Sequence, residues 1–398
     1  MARISSEQLN SGVPLSSSRT ALAILALAVG GFGIGTGEFS IMGLLPELAA
    51  GLGIDETRAG GLISAYALGV VVGAPLIAVG AARWPRRWLL LALMGLYAAG
   101  NFASALVPGF LPMLLVRFVS GLPHGAYFGV AALVAASLVE PHRRGRAVGR
   151  VMLGLTVATL IGNPIAVWLG QLLGWRSAFA AVGMISLLTV ALLVVFLPDD
   201  RTAASSSPLQ ELGALRNPDI WLTLGIGAIG FGGMFCVLSY IAPTLTQVSG
   251  LSPGWVPVAL AAFGLGTIIG SQVGGWLADR GTLSTIGWIL LWSLAVMLLF
   301  PFAARSAWSI LPATLLVGTI VAMVPALQIR LMDVAADAQT LAASLNHSAF
   351  NVGNALGAWL GGIAAAYADD WAVTGWVGAL LAIGGLVLFV IVRQRERG

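Results

Sequence analysis

Twelve stretches of this 398-residue chain are apolar for long enough to cross a bilayer, and that pattern leaves few folds open. They fall at about 21–45, 59–80, 88–107, 110–138, 147–170, 177–197, 219–247, 255–277, 283–302, 307–328, 339–366 and 372–392. A hydrocarbon core takes roughly 20 helical residues. Inside it each backbone N–H and C=O must be satisfied by the segment itself, so such runs become helices. Only 9% of residues are charged, against about 25% in soluble domains. The expected fold is an all-α membrane protein of twelve transmembrane helices. The first run, Ala21–Leu45, is too long for the apolar part of a signal peptide and no small-residue cleavage pattern follows it, so it reads as a retained helix.

Between the sixth and seventh runs lies PDDRTAASSSPLQELGALRNPD, whose Pro, Ser and Asp content marks a linker. The chain thus divides into a tail 1–20, a six-helix bundle 21–197, a linker 198–218, a second bundle 219–392 and a tail 393–398. The two bundles share marks. LGVVVG (Leu68–Gly73) returns 197 residues later as LGTIIG (Leu265–Gly270), and GNPIAVWLG (Gly162–Gly170) returns 191 residues later as GNALGAWLG (Gly353–Gly361). Duplication of this kind gives two pseudo-symmetric halves and is typical of secondary transporters, whose site lies near the bilayer midplane between the repeats. With the N-terminus cytoplasmic, sixteen arginines fall in inside segments and three (Arg58, Arg176 and Arg305) in outside loops. Both termini therefore read as cytoplasmic.

The basic charge excludes several functions by its placement. All 20 basic residues are arginine, set in short connections, so the net +4 orients helices rather than meeting nucleic acid. The loops ARWPRR, with Arg83 and Arg87, and EPHRRGR are basic enough for lipid headgroups, but topogenic charge is the simpler account. Without lysine the phosphate-binding G-x-x-x-x-G-K-[ST] loop cannot exist, which rules out an ATP-driven pump within this chain. No nucleophile elbow or H-E-x-x-H is present, so an enzyme is not expected. Cys236 is the only cysteine and can form no intramolecular disulfide. The histidines lack companions at ligand spacing, so no metal site is suggested.

Of the sixteen acids only Glu38 falls well inside a run, and of the arginines only Arg117. Each lies about seven residues below the outer end of its helix, roughly 10 Å deep at 1.5 Å per residue. An intramembrane charge is costly and points to a functional site. Two readings stand: proton exchange at Glu38 tuned by Arg117, or an ion pair that only fixes helix packing. His124 lies further inward on helix 4 between Pro123 and Gly125, where a kink is expected. His347 lies on helix 11 beside Asn351 and Asn354. Histidine titrates near physiological pH, but a neutral histidine holding a backbone carbonyl is the plainer account of both. Asn163 and Asn354 are the repeat-related amides and should face other helices. Gly162 and Pro164 weaken helix 5 where a gate can bend. Asp279 and Arg280 sit in a tight turn, GGWLADRG, where an Asp that accepts from backbone amides or pairs with an arginine would lock the cytoplasmic side closed.

Four stretches together give the chain a family likeness: GTGEFSIMGLLPELA, GAPLIAVGAARWPRR, RFVSGLPHGAYFGVAALVAA and GLTVATLIGNPIAVWLGQLLGWR. End to end it resembles the major facilitator superfamily, and within it the bacterial drug/proton antiporters of the arabinose- and sugar-efflux-permease-like branch. The resemblance implies a rocker-switch exporter of the bacterial inner membrane, with helices 1, 4, 7 and 10 lining a central cavity. Arg117 then matches the family's helix 4 arginine tied to proton coupling, and Glu38 its helix 1 acid. Gly154, Gly162 and Pro164 match the helix 5 antiporter signature. Two departures stand out. Ala82 occupies the loop 2–3 position where the family has Asp, while the second-half copy keeps Asp279; and Asn163 intervenes between Gly162 and Pro164.

The expectation is a monomeric, proton-driven exporter of small organic molecules that needs no cofactor. An uptake symporter or uniporter of the same fold, or a non-transporting membrane sensor, are the alternatives. One acid and one arginine with Phe39, Tyr127, Phe128, Phe235 and Tyr240 nearby fit neutral or mixed amphiphiles, and sugars, nucleosides and chloramphenicol-like drugs are equally compatible.

Overall fold

The computed structural model describes residues 17–81, 83–140, 143–198, 216–335 and 339–396. Most of the tail 1–20, the linker over residues 199–215, the end of the C-terminal tail and Ala82 lie outside the described residues. The apolar runs are helices: α1 Ser17–Gly43, α2 Glu56–Gly80, α3 Arg86–Leu106, α4 Phe110–Ser137, α5 Arg144–Leu173, α6 Arg176–Phe196, α7 Pro218–Ser239, α8 Val256–Ala278, α9 Thr282–Ala303, α10 Ala307–Ala335, α11 Gln339–Ala368 and α12 Thr374–Arg395. Among the described residues eleven helices are long and apolar enough to span a membrane; α11 is the one outside that set. It is 30 residues long, but Asn346, His347, Ser348, Asn351 and Asn354 dilute its apolar character.

Several hydroxyls within the helices are satisfied locally, as a medium without water favours. Ser104, Ser186, Thr189 and Thr314 each donate to the carbonyl four residues back, at 2.7–2.9 Å. Two helix starts are capped by side chains in this way: Asp55 accepts from Arg58 N at 2.7 Å and Asn217 from Asp219 N at 2.9 Å. The short helix Leu45–Leu52 ends at Gly53 with φ +67°, a left-handed cap that glycine adopts without strain.

Glycines set the helix contacts, and these contacts repeat. A Cβ on Gly69 would lie 2.1 Å from the carbonyl oxygen of Phe118, and one on Gly73 2.1 Å from that of Leu122, so α2 and α4 meet backbone to backbone. The same meeting recurs between α8 and α10, where Gly266 faces Leu315 O at 2.0 Å and Gly270 faces Thr319 O at 2.6 Å. Gly121 against Tyr66 O (2.1 Å) likewise returns as Gly318 against Phe263 O (2.3 Å). All these pairs are offset by the same 197 residues seen in the sequence repeat. In α5, Gly154 lets Ala28 O of α1 approach, and Gly353 and Gly357 of α11 do the same for Ala228 and Gly232 of α7.

Helix α4 stays continuous through Pro123, and its Phe118 and Leu122 carbonyls face the glycines of α2. In α5, Ala158–Gly162 forms a π-helical turn just before Asn163–Pro164, and α7 has another at Ile226–Gly230. Such a turn inserts an extra residue into the ladder and is a common place for a helix to bend.

Candidate functional site

Glu38 lies on α1 where the chain's two halves meet, and it is 5% exposed. Asn354 of α11 donates from Nδ2 to Glu38 Oε1 at 3.4 Å, a long bond that crosses between halves. On the N-terminal half, His124 Nδ1 lies 3.9 Å from Glu38 Oε2, and the hydroxyl of Tyr66 lies 3.0 Å from the same nitrogen. Tyr66 continues to the Tyr97 hydroxyl at 3.4 Å, and Tyr97 donates to Ile34 O at 3.1 Å. One carboxyl group of α1 is thereby held among an amide, an imidazole and a phenol drawn from three other helices.

Arg117 and Glu38 share this region but make no ion pair. Arg117 is fully buried, and its one described hydrogen bond runs from Nη2 to Gly37 O at 3.4 Å. Its guanidinium lies over the ring of Tyr66 (4.3 Å to the centroid) and near that of Phe179 (5.5 Å), while Nε and Nη1 have no hydrogen-bond partner. A cation between aromatic faces is stabilised without being neutralised, so its charge still acts on the carboxyl group one residue beyond Gly37. Sequence reasoning missed Tyr66, Tyr97 and Phe179. Two of the chain's five tyrosines standing in mid-run, where a hydroxyl needs a partner, were the available signal.

The aromatic candidates separate into two roles. Phe39 stacks on Phe235 across the halves (6.3 Å, 4°) with Phe263 at 6.5 Å, and Phe231 extends the cluster to Phe350 at 4.7 Å. Phe128 stacks on His347 at 5.5 Å. Tyr127 instead donates to Leu27 O at 2.8 Å, which fastens α4 to α1. Tyr240 donates to Ala358 O at 2.6 Å, stacks on Trp371 and reaches Gly60 of the other half.

The amides divide likewise. Asn351 donates to His347 O at 3.0 Å, and its Oδ1, like that of Asn354, has no partner. Asn163, its amide oriented to donate, reaches Gly35 O at 3.3 Å and Thr36 O at 3.2 Å, so it ties α5 to α1 rather than facing Glu38. Gly162 meets Thr36 in the same seam, and Pro164 follows the π-helical turn. Histidines 124 and 347 do not hold backbone carbonyls; His124 engages Tyr66 and Glu38.

The gating candidates stand apart from Glu38. Arg83 is exposed, and Arg87 donates to Val194 O at 2.8 Å. Asp279 is exposed; Arg280 lies over its own neighbour Trp276 and donates to Trp276 O at 2.9 Å. Polar ties between the halves cluster instead at the face opposite the termini. There Gln171 donates to Pro253 O (3.0 Å), Gln247 to Glu56 (3.1 Å) and Thr57 to Gly362 O (3.4 Å), while within the N-terminal half Gln171 also donates to Glu47 (3.3 Å). Burial raises the Glu47 carboxyl above the usual carboxylate range. Separately, a groove of about 430 Å³ opens between α1 and α5, walled by Leu25, Val29, Phe32, Leu153 and Val157 with Arg150 beside them; it does not include Glu38.

A helical bundle with this internal repeat matches one family model over residues 27–340 and again over 254–398. The chain belongs to the Major Facilitator Superfamily. It is 40% identical over 369 residues to the inner membrane transport protein YdhP of Escherichia coli (strain K12), covering 92% of this chain and 94% of that protein. It is 35% identical to the putative transporter AraJ of the same strain over 342 residues (85% of this chain, 87% of that one) and 35% identical to the chloramphenicol resistance protein of Streptomyces lividans over 382 residues (92% and 93%). These relatives support the drug- and sugar-efflux-like branch of the superfamily. The fold is shared with a bacterial homologue of the lysosomal transporter Spinster in an inward-facing, occupied form (TM-score 0.74, 17% identity, 95% of this chain and 98% of that one). It is also shared with a D-xylose–proton symporter (TM-score 0.70, 17% identity, 94% and 97%). The protein is a multi-pass transporter of the bacterial inner membrane.

Proposed function

We propose that this transporter exports small organic molecules in exchange for protons by alternating access. The observation that carries the reading is Glu38, a carboxyl group buried in the membrane at the junction of the halves and bonded across it to Asn354. A ligand or a proton moves a conformational equilibrium only through different affinity for the two states. A group whose partners come from both halves meets that condition, because rocking one half against the other changes its surroundings. In this reading α11 is the twelfth span, its polar residues turned toward the other half, and α1–α6 and α7–α12 are the two moving bodies. Both termini are cytoplasmic, as the arginine distribution favours. The ties at the opposite face then close the outside, which makes this the inward-facing form.

The Phe39–Phe235 stack beside the free acceptors of Asn351 and Asn354 suits an uncharged molecule with an aromatic or apolar body and O–H or N–H donors. The Streptomyces relative makes chloramphenicol the first compound to try. The working unit is taken as a single chain. Energised inverted vesicles carrying wild type or Glu38→Gln, with a pH-gradient dye and a panel of chloramphenicol, sugars and nucleosides, test the proposal. Dissipation of the gradient by a compound in wild type but not in the variant is expected. Labelled substrate crossing equally in both, with no proton movement, overturns it in favour of a uniporter.

A further inference from the structure

We propose that His124 and His347 form a proton relay that carries the proton of Glu38 across the junction between the halves to the cytoplasmic side. The proposal rests on the reading of Glu38 as the coupled proton site and deepens it. Three titratable side chains descend in order. The order is Glu38 on α1, His124 on α4, roughly 20 Å from the Ser137 end of that helix at 1.5 Å per residue, and His347 on α11. The contacts follow the same order: Glu38 Oε2 to His124 Nδ1 is 3.9 Å, and the two imidazole rings are 6.5 Å apart.

Exposure changes along the ladder as well. Glu38 and His124 are buried at 5% and 2%, whereas His347 is half-buried. His347 is therefore the most exposed member of the three. A structural histidine would spend its nitrogens on fixed partners, yet neither ring nitrogen of His347 has a hydrogen bond among the described residues; the ring is held by stacking on Phe128. Glu38 is the one carboxylate within 4 Å of either ring among the described residues. The other titratable groups facing the ladder are Tyr66 on α2, bonded to His124, Tyr97 on α3, bonded to Tyr66, and Arg117 on α4, over the Tyr66 ring.

The step breaks no bond between heavy atoms. The Glu38 carboxyl gives its proton to a His124 nitrogen, the imidazolium passes one N–H proton to His347 directly or through one water, and His347 releases it toward the cytoplasmic side, leaving Glu38 ionised. Because His124 belongs to one half and His347 to the other, the route exists only while the halves meet there. Proton release is then tied to the inward-facing form.

The test needs no substrate. Purified protein receives a proton jump from a caged acid, and the carboxylic C=O infrared band of Glu38, identified by its loss in Glu38→Gln, is followed in time. In His347→Ala and His124→Gln the relaxation should slow about 100-fold, the lower end of what a positioned acid–base group contributes, with the equilibrium midpoint of the His347 variant kept. Millimolar imidazole should restore the rate in His347→Ala. An unchanged rate in folded His347→Ala, or in His347→Asn where the alanine variant fails to fold, overturns the relay and leaves Glu38 as the proton site. A C=O band that never titrates in wild type overturns the underlying reading instead.

Discussion

Replacing Arg117 by methionine separates a functional charge from a structural one. The guanidinium gains little where it lies. Its hydrogen bond to Gly37 O, at 3.4 Å, is at the weak end of what such bonds supply, about 1 kcal/mol. Its position over Tyr66 adds about 2 kcal/mol in a desolvated site. Against this stands the penalty of burying a cation with two unpartnered guanidinium nitrogens and no ion pair, several kcal/mol even after relaxation. Methionine keeps most of the packing of the aliphatic stem and removes the charge. The variant should therefore be as stable as wild type or more so, by up to about 2 kcal/mol, while substrate-driven proton movement is lost. Arg117→Lys should retain folding but lose the flat stacking on Tyr66, and with it most coupling. Thermal unfolding of the purified proteins in one detergent at one scan rate, alongside the vesicle assay, measures both. Had the arginine been kept as half of a structural pair, removing it would cost about 3–5 kcal/mol. A loss of that size in Arg117→Met with transport intact in Arg117→Lys would refute the reasoning.

The helix seams give a paired prediction: Gly69→Ala and Gly266→Ala force a Cβ to within 2.1 and 2.0 Å of a backbone carbonyl, so each should destabilise by about 1–3 kcal/mol. Gly95→Ala, which meets nothing within 4 Å, should be neutral or stabilising by up to about 1 kcal/mol, and unequal losses at Gly69 and Gly266 would count against the repeat. Glu47 supplies a pH dependence. Its carboxyl is raised by burial, so the folded state binds a proton more readily than the unfolded one, and stability is greatest below pH 4.5 and declines as pH rises through the folded value. Melting temperature against pH should accordingly fall more steeply across that window in wild type than in Glu47→Gln. Tyr240→Phe removes the 2.6 Å bond to Ala358 O and should loosen the face opposite the termini by about 1 kcal/mol, read as faster labelling of a cysteine placed at Gly61; unchanged labelling would assign closure to the glutamine ties.

The bundle was legible because lipid leaves a chain few choices. Spanning length and a glycine pattern repeating at 197 residues are local facts of the sequence, and the contacts at Gly69, Gly266, Gly121 and Gly318 realise the glycine pattern atom for atom. Glu38 and Arg117 were legible for a related reason: a charge inside an apolar run stands out by its cost. What could not be read was who meets whom. Matching depth made an ion pair the obvious guess, but depth fixes only the axial coordinate, and the rotation of α1 against α4 turns Arg117 to the carbonyl of Gly37 and the ring of Tyr66.

The partners of Glu38 come instead from groups that sequence judged separately, Asn354 as a repeat-related amide and His124 as a histidine holding a backbone carbonyl. Hydrogen-bonding residues in a membrane helix must find one another, but a single chain does not say across which seam. Asn163 and Asn354 make the point, since they are equivalent by repeat and sit on equivalent helices. One ties α5 to α1 within its half while the other reaches across to the acid. The difference follows from an asymmetry on α1 and α7. Glu38 has no counterpart among the acids of α7, where GGMFCVLSY offers Phe235 and Cys236 in mid-helix. Duplication supplies two amides and only one carboxyl group, so the C-terminal amide is the one left to turn outward from its own half. The repeat is therefore broken at the buried carboxyl group, and there an amide of one half meets an acid of the other.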